Sequence, residues 1–159
     1  MTQGMTFPEV EDAIAACRKH LDNSNSKGTQ IEAYLTCYLL VLICRTFENE
    51  IRRLVVERAK LAKDEDIVTF MTNSISTYRS LKVSDIKGKL MGRFGKGHWD
   101  RFDEFLRNET TVVTGYSNIV ANRHQVAHGG PVNMTLDELV QSYRNSEKVL
   151  AQLRTMLGV

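Results

Sequence analysis

One run constrains this chain more than any other. From Thr29 to Ala62 there is neither proline nor glycine, and Cys37, Leu40, Cys44, Phe47, Ile51 and Leu54 recur every three or four residues. That is the period of an amphipathic helix, and the run predicts one long helix over 29–62. The rest of the chain repeats the pattern, and almost no segment alternates. The sequence therefore predicts an all-α fold, an antiparallel helical bundle with a small helical insertion around residues 84 to 107.

The other elements follow from the same signals. Thr6 is placed to cap a first helix, with Pro8 in its first turn and Val10, Ala13, Ile14, Cys17 and Leu21 facing inward. The stretch "DNSNSKG" reads as a polar loop. A third helix is predicted over 64–82, with Ile67, Phe70, Met71, Ile75 and Tyr78 as its apolar positions. Ser84-Asp85 reads as the cap of a short helix, "DIKGKLMGRF", stopped at Gly95, and "HWDRFDEFLRN" as another. A helix over 109–128 precedes Gly129-Gly130-Pro131. Thr135 and Glu138 have the spacing of a capping box, and they open a last helix with Leu136, Leu139, Val140, Tyr143, Val149, Leu150, Leu153 and Leu157 inside.

The length of 159 residues fits a single domain, residues 1–159, able to bury its own core. With 42% hydrophobic and 25% charged residues the chain reads as soluble and globular, not disordered. A net charge of +2 allows a local nucleic-acid patch but does not demand one. Cys17, Cys37 and Cys44 lie in apolar helical context without framework spacing, which points to a reducing, cytoplasmic setting. The N-terminus "MTQGMTFPEVEDA" lacks the pattern of a signal peptide. The run "AYLTCYLLVLIC" is short for a membrane span and ends at Arg45.

One residue breaks the pattern. With Val112 set to zero on the helix over 109–128, Tyr116, Ile119, Val120, Val126 and Ala127 fall within roughly 80° of it. Arg123 falls at about 20°, inside the apolar stripe. A guanidinium there needs a carboxylate or an edge to escape by. Glu48 borders the apolar stripe of the long helix and is the candidate carboxylate; its alternative partners are Arg45 and Arg52 on its own helix. The always-charged, fork-shaped arginine suits phosphate, and His128, one turn on, suits proton transfer near neutral pH. Together they are what cleavage of a phosphodiester asks for. Asn122 and His124 are candidates to contact RNA or to hold His128. His124 and His128 also have a zinc-type spacing, but no third ligand is evident, so no metal is expected. Lys87, Lys89, Arg93 and Lys96 could track an RNA backbone, with Trp99 stacking on a base. The alternative for the aromatics around them is core packing.

The segment "NRHQVAHG", Arg123 to His128 with its neighbours, resembles the Arg-x4-His motif of the HEPN superfamily. Among its groups the chain is most similar to the one named for association with RiboL-PSP proteins, and "ICRTFENEIRRLV" and "IKGKLMGRFG" add to that likeness. His124 stands where many members carry asparagine. The resemblance implies a metal-independent endoribonuclease without cofactor, working on an RNA substrate as a homodimer. In such a dimer two motif helices face one cleft and the ribose 2′-OH attacks the phosphorus. It also implies a toxin or antiphage role, with an antitoxin or defence-system protein as partner. A non-catalytic HEPN-like module that binds RNA, a nucleotide or a protein is the other class of function the residues allow.

Overall fold

In the computed structural model, which describes residues 5–159, every regular element is helical. Met1 to Gly4, the start of the stretch read for a signal peptide, lie outside the described residues. The first helix, α1 (Pro8–Ser24), starts one residue later than a Thr6 cap would set it: Phe7 is the cap residue, and no side chain bonds the first turn. Pro8 at the first position needs no partner for its nitrogen. Val10, Ile14, Cys17 and Leu21 are buried and Ala13 is partly so. The helix takes in Asp22 to Ser24 from the expected loop and stops at Asn25, whose φ of 50° is left-handed.

The long helix, α2 (Gln30–Lys60), is the centre of the bundle. The Thr29 side chain caps it by accepting the Ile31 N–H. Leu39, Leu40, Ile43, Cys44, Phe47, Ile51, Leu54 and Val55 are buried along it. By length and composition it could cross a membrane. Here those side chains face the core, packed against α1, α3, α6 and α7.

α3 (Glu65–Ile75) begins as its sequence predicts, with Asp64 Oδ1 accepting from Asp66 and Ile67 N–H. It stops seven residues short of Lys82. The reason lies in its carbonyls. Arg52 Nη1 reaches across from α2 to Tyr78 O at 2.9 Å, and Arg79 Nη1 takes Ser76 O at 2.6 Å. Those are the acceptors a continuing helix would need. Ile67 and Phe70, expected inside, are exposed; only Ile75 of the helix is buried.

The next segment differs most from expectation. Lys82, not Ser84-Asp85, caps α4 (Val83–Asp85), and Lys82 O accepts from Asp85 and Ile86 N–H. The Asp85 carboxylate is instead occupied by Ser80 and Lys89. The chain then widens into a π turn over Ile86–Leu90 and tightens into a 3-10 turn over Met91–Phe94. The wider turn puts Ile86, Leu90 and Met91 together in the core, which regular α geometry would not. Gly95, at φ 105°, ends it. α5 (Lys96–Asn108) buries Phe102, while Phe94, Trp99 and Phe105 are partly buried.

α6 (Thr110–Ala127) and α7 (Leu136–Leu157) form the closest pair. Gly115 allows it: a Cβ there would sit 3.1 Å from Asn145 Cβ. Thr135 and Glu138 make both halves of the expected capping box, and all eight expected inward residues of α7 are buried. The core continues through Phe47, which stacks on Tyr116 (centroids 5.9 Å apart, planes within 1°) and on Tyr143 at 6.1 Å. Such pairs add about 0.5–1.5 kcal/mol each beyond their burial.

Candidate active site at the end of the sixth helix

The first half of α6 is a core helix, with Val112, Gly115, Tyr116 and Ile119 buried. Its last turns leave the core. Ala127 is exposed, not part of the inner stripe, and so are His124 and His128. Arg123 lies between these two environments. Its side chain is 45% exposed, and Nη2 donates to Glu48 Oε1 at 3.2 Å, where the Glu48 side chain is only 9% exposed. Glu48 makes no bridge to Arg45 or Arg52: Arg52 is taken up by Tyr78 O and Asn49 Oδ1. A buried carboxylate thus holds one side of the guanidinium and leaves the rest open to solvent.

Behind this pair the side chains are buried. Cys44 and Tyr116, one on each of the two helices, lie close enough to feel its charges. Burial pushes the Cys44 thiol up to about 12; Arg123 opposes the rise and Glu48 adds to it. Burial also lifts the Tyr116 phenol well above its usual range, and its hydroxyl has no hydrogen-bond partner among the described residues. Neither group ionises at neutral pH, so the pair's charges are the local ones that matter.

The helix ends in a Schellman arrangement. His128 is the cap residue after Ala127, Gly129 N–H bonds Val126 O at 3.0 Å, and Gly130 N–H bonds Gln125 O at 2.9 Å. Gly129 takes φ 79°, and a Cβ on Gly130 would meet Gln125 Cγ at 2.7 Å. Two glycines are therefore what this turn requires, and they leave His128 uncovered. The His124 and His128 rings meet edge to face with centroids 4.5 Å apart. No group of three metal-ligating side chains occurs around them or elsewhere among the described residues.

Asn122 has a different place from the one its sequence position suggests. Its side chain donates to Asn118 O at 3.0 Å and accepts Asn133 N–H at 2.8 Å, while Asn133 Nδ2 donates to Gln125 Oε1 at 2.9 Å. Asn122 ties the 128–135 loop to α6; it does not hold His128. The basic residues upstream are mostly occupied. Lys87 pairs with Asp103 at 2.9 Å and lies over the Trp99 ring, Lys89 pairs with Asp85, and Lys96 pairs with Asp100. Arg93 alone of the four has no carboxylate partner among the described residues, and it lines an apolar groove with Phe70 and Phe94.

The sequence reading missed one neighbour of the site. Lys82, Val83 and Ser84 close a cavity of about 370 Å³ against α6, with His124 in its wall. Nothing in the local pattern links residues so far apart in the chain.

Neither a curated protein nor a solved structure is significantly similar to the chain. The RiboL-PSP-HEPN family model matches residues 7–158, a span that includes Glu48 on α2 and the whole of α6. With nearly its full length matched, and an all-α architecture to go with it, the chain belongs to the RiboL-PSP-HEPN family.

Proposed function

We propose that the protein is a metal-independent endoribonuclease in which Arg123 and His128 carry the reaction. The observation behind this reading is the half-open Arg123–Glu48 pair, with an uncovered imidazole one turn further along the same helix. A guanidinium sealed on all sides could not reach a phosphate. This one keeps donors free for phosphoryl oxygens.

In the proposed reaction a general base takes the proton of a ribose 2′-OH as its oxygen bonds to the adjacent phosphorus. The bond from phosphorus to the 5′-oxygen breaks, and a general acid returns a proton to that oxygen. A 2′,3′-cyclic phosphate and a 5′-OH result, with no water consumed. Arg123 stabilises charge on the non-bridging oxygens. His128 supplies one of the two proton-transfer groups. The second comes from a second copy, whose motif helix shares the cleft.

A feature of α2 supports the dimer. Ile31, Tyr34, Tyr38 and Val41 are exposed at three- and four-residue steps, the tyrosines at 65% and 56%. Continuing the same steps reaches Arg45 and then Glu48. The apolar stripe thus leads along one helix to the site, and a second copy would cover it. RNA cleavage by such a dimer fits a cytoplasmic toxin or antiphage effector held in check by a partner protein.

The Arg123–Glu48 pair would also serve a non-catalytic module that binds RNA, a nucleotide or a protein. Purified protein incubated with mixed RNA and excess EDTA separates the two. Cleavage to cyclic-phosphate ends, lost in a folded His128→Ala variant, is the expected result. Cleavage that survives in that variant, or that needs a divalent metal, counts against the mechanism.

A further inference from the structure

The cavity beside His124 lies where substrate specificity would be set. Its apolar lining is Val83 from the start of α4 with Val120 and Ala121 from α6. Ser84, Ser117 and Lys82 also line it, and Lys82 makes no salt bridge among the described residues. The His124 ring forms one wall and touches His128 edge-on at 4.5 Å. A group seated here would therefore sit next to the reacting phosphate.

We infer that this cavity takes one unpaired nucleobase flanking the scissile phosphate, stacked on His124. The inference rests on the endoribonuclease reading above. Each wall has a use in it. An imidazole and aliphatic carbons offer a flat apolar contact for a base face, as in single-strand recognition. The two hydroxyls can both donate and accept at a base edge. The Lys82 ammonium suits the neighbouring phosphate. At about 370 Å³ the cavity is at the small end for ligand sites, roughly 300–1,000 Å³, which suits a single base and not a folded partner. Since a base within a duplex cannot enter, the substrate is single-stranded at this position. His124 then acts as a base platform, not as the second proton-transfer group.

The test has a binding arm and a cleavage arm. In a non-cleaving His128→Ala background, fluorescence anisotropy compares single-stranded RNA homopolymers with an abasic backbone of the same length. The base-bearing strands should bind about tenfold tighter or more, as a stacked base does. Ala121→Phe and Ser117→Trp, each filling the cavity from an exposed α6 position, should reduce that ratio to below about twofold. A ratio unchanged by both variants overturns the inference. Lys82→Ala should weaken all strands alike, whereas His124→Ala, which removes the stacking ring from an exposed position without filling the cavity, should lower the ratio and keeps the arm decisive if a filled cavity unfolds the chain. In the cleavage arm, sequencing the ends made by otherwise wild-type protein from a random RNA pool should show a preference at one flanking base. Ala121→Phe should erase that preference in whatever cleavage remains. A preference that persists in Ala121→Phe removes the base pocket and leaves the nuclease. A base-dependent binding ratio that responds to the variants, with no cleavage at all, removes the nuclease and leaves the pocket.

Discussion

Removing Glu48 or Arg123 should have unequal effects, because the two ends of their ion pair lie in different surroundings. Glu48 is 9% exposed and Arg123 is 45% exposed. In Glu48→Gln the guanidinium loses a charged partner but can turn to water, so the loss should be near that of an exposed pair, about 0.5–1 kcal/mol. In Arg123→Ala the carboxylate stays buried without a partner. Breaking a fully buried pair costs about 3–5 kcal/mol. With one end half in solvent, about 2 kcal/mol is expected. At roughly 2–4 °C per kcal/mol for a domain of this size, the Tm should fall by about 4–8 °C. The double variant should lie close to Glu48→Gln alone, since no buried charge is left stranded. Urea denaturation of all four proteins measures the coupling. Single effects that add within about 0.5 kcal/mol would refute it. The same proteins separate orientation from charge. Glu48→Gln keeps the guanidinium but frees its direction, so cleavage should fall about 10- to 100-fold. Arg123→Ala should abolish it.

Three further outcomes are expected. Burial raises the Glu147 carboxyl above its usual range, with Arg144 opposing the rise. An acid whose folded pKa is raised loses stability as pH climbs from the unfolded pKa through the folded one, so Glu147→Gln should raise Tm at pH 8 more than at pH 5. A thermal-melt series over that range checks the sign. Gly129→Ala places a side chain at φ 79° and should cost about 1–2 kcal/mol, with cleavage impaired through the displaced His128. Denaturation and activity, measured together, show whether both change. Tyr38→Glu puts a charge in the exposed α2 stripe, and light scattering should show it shifting from a dimer to a single 18.1 kDa species.

The helices that a sequence makes legible are those whose pattern and packing agree. α7 is the clearest: a capping box opens it, and every expected inward residue is inward. α2 was legible as a helix but not as a surface. It is apolar on more than one side, and periodicity cannot tell the buried stripe of Leu40, Cys44 and Phe47 from the exposed one of Tyr34 and Tyr38. The end of α3 was hidden because arginine side chains, one of them from α2, remove the carbonyls that would continue it. The π and 3-10 turns between Ile86 and Phe94 were hidden for a similar reason: the burial of Ile86, Leu90 and Met91 in the core goes with a local geometry that periodicity does not announce. At the site, Glu48 was reachable by asking what a misplaced arginine must pair with. The Lys82–Ser84 wall was not, because no charge or period announces it.

The amide ladder from Asn122 through Asn133 to Gln125 has a kinetic meaning. The turn after His128 and the entry to α7 are fixed to the helix that carries the motif by two side-chain hydrogen bonds of 2.8 and 2.9 Å. The conformational entropy of that loop is therefore lost when the chain folds, not when a ligand binds. In the proposed reaction the imidazole at the turn would meet RNA already ordered, leaving more of each binding contact for the transition state.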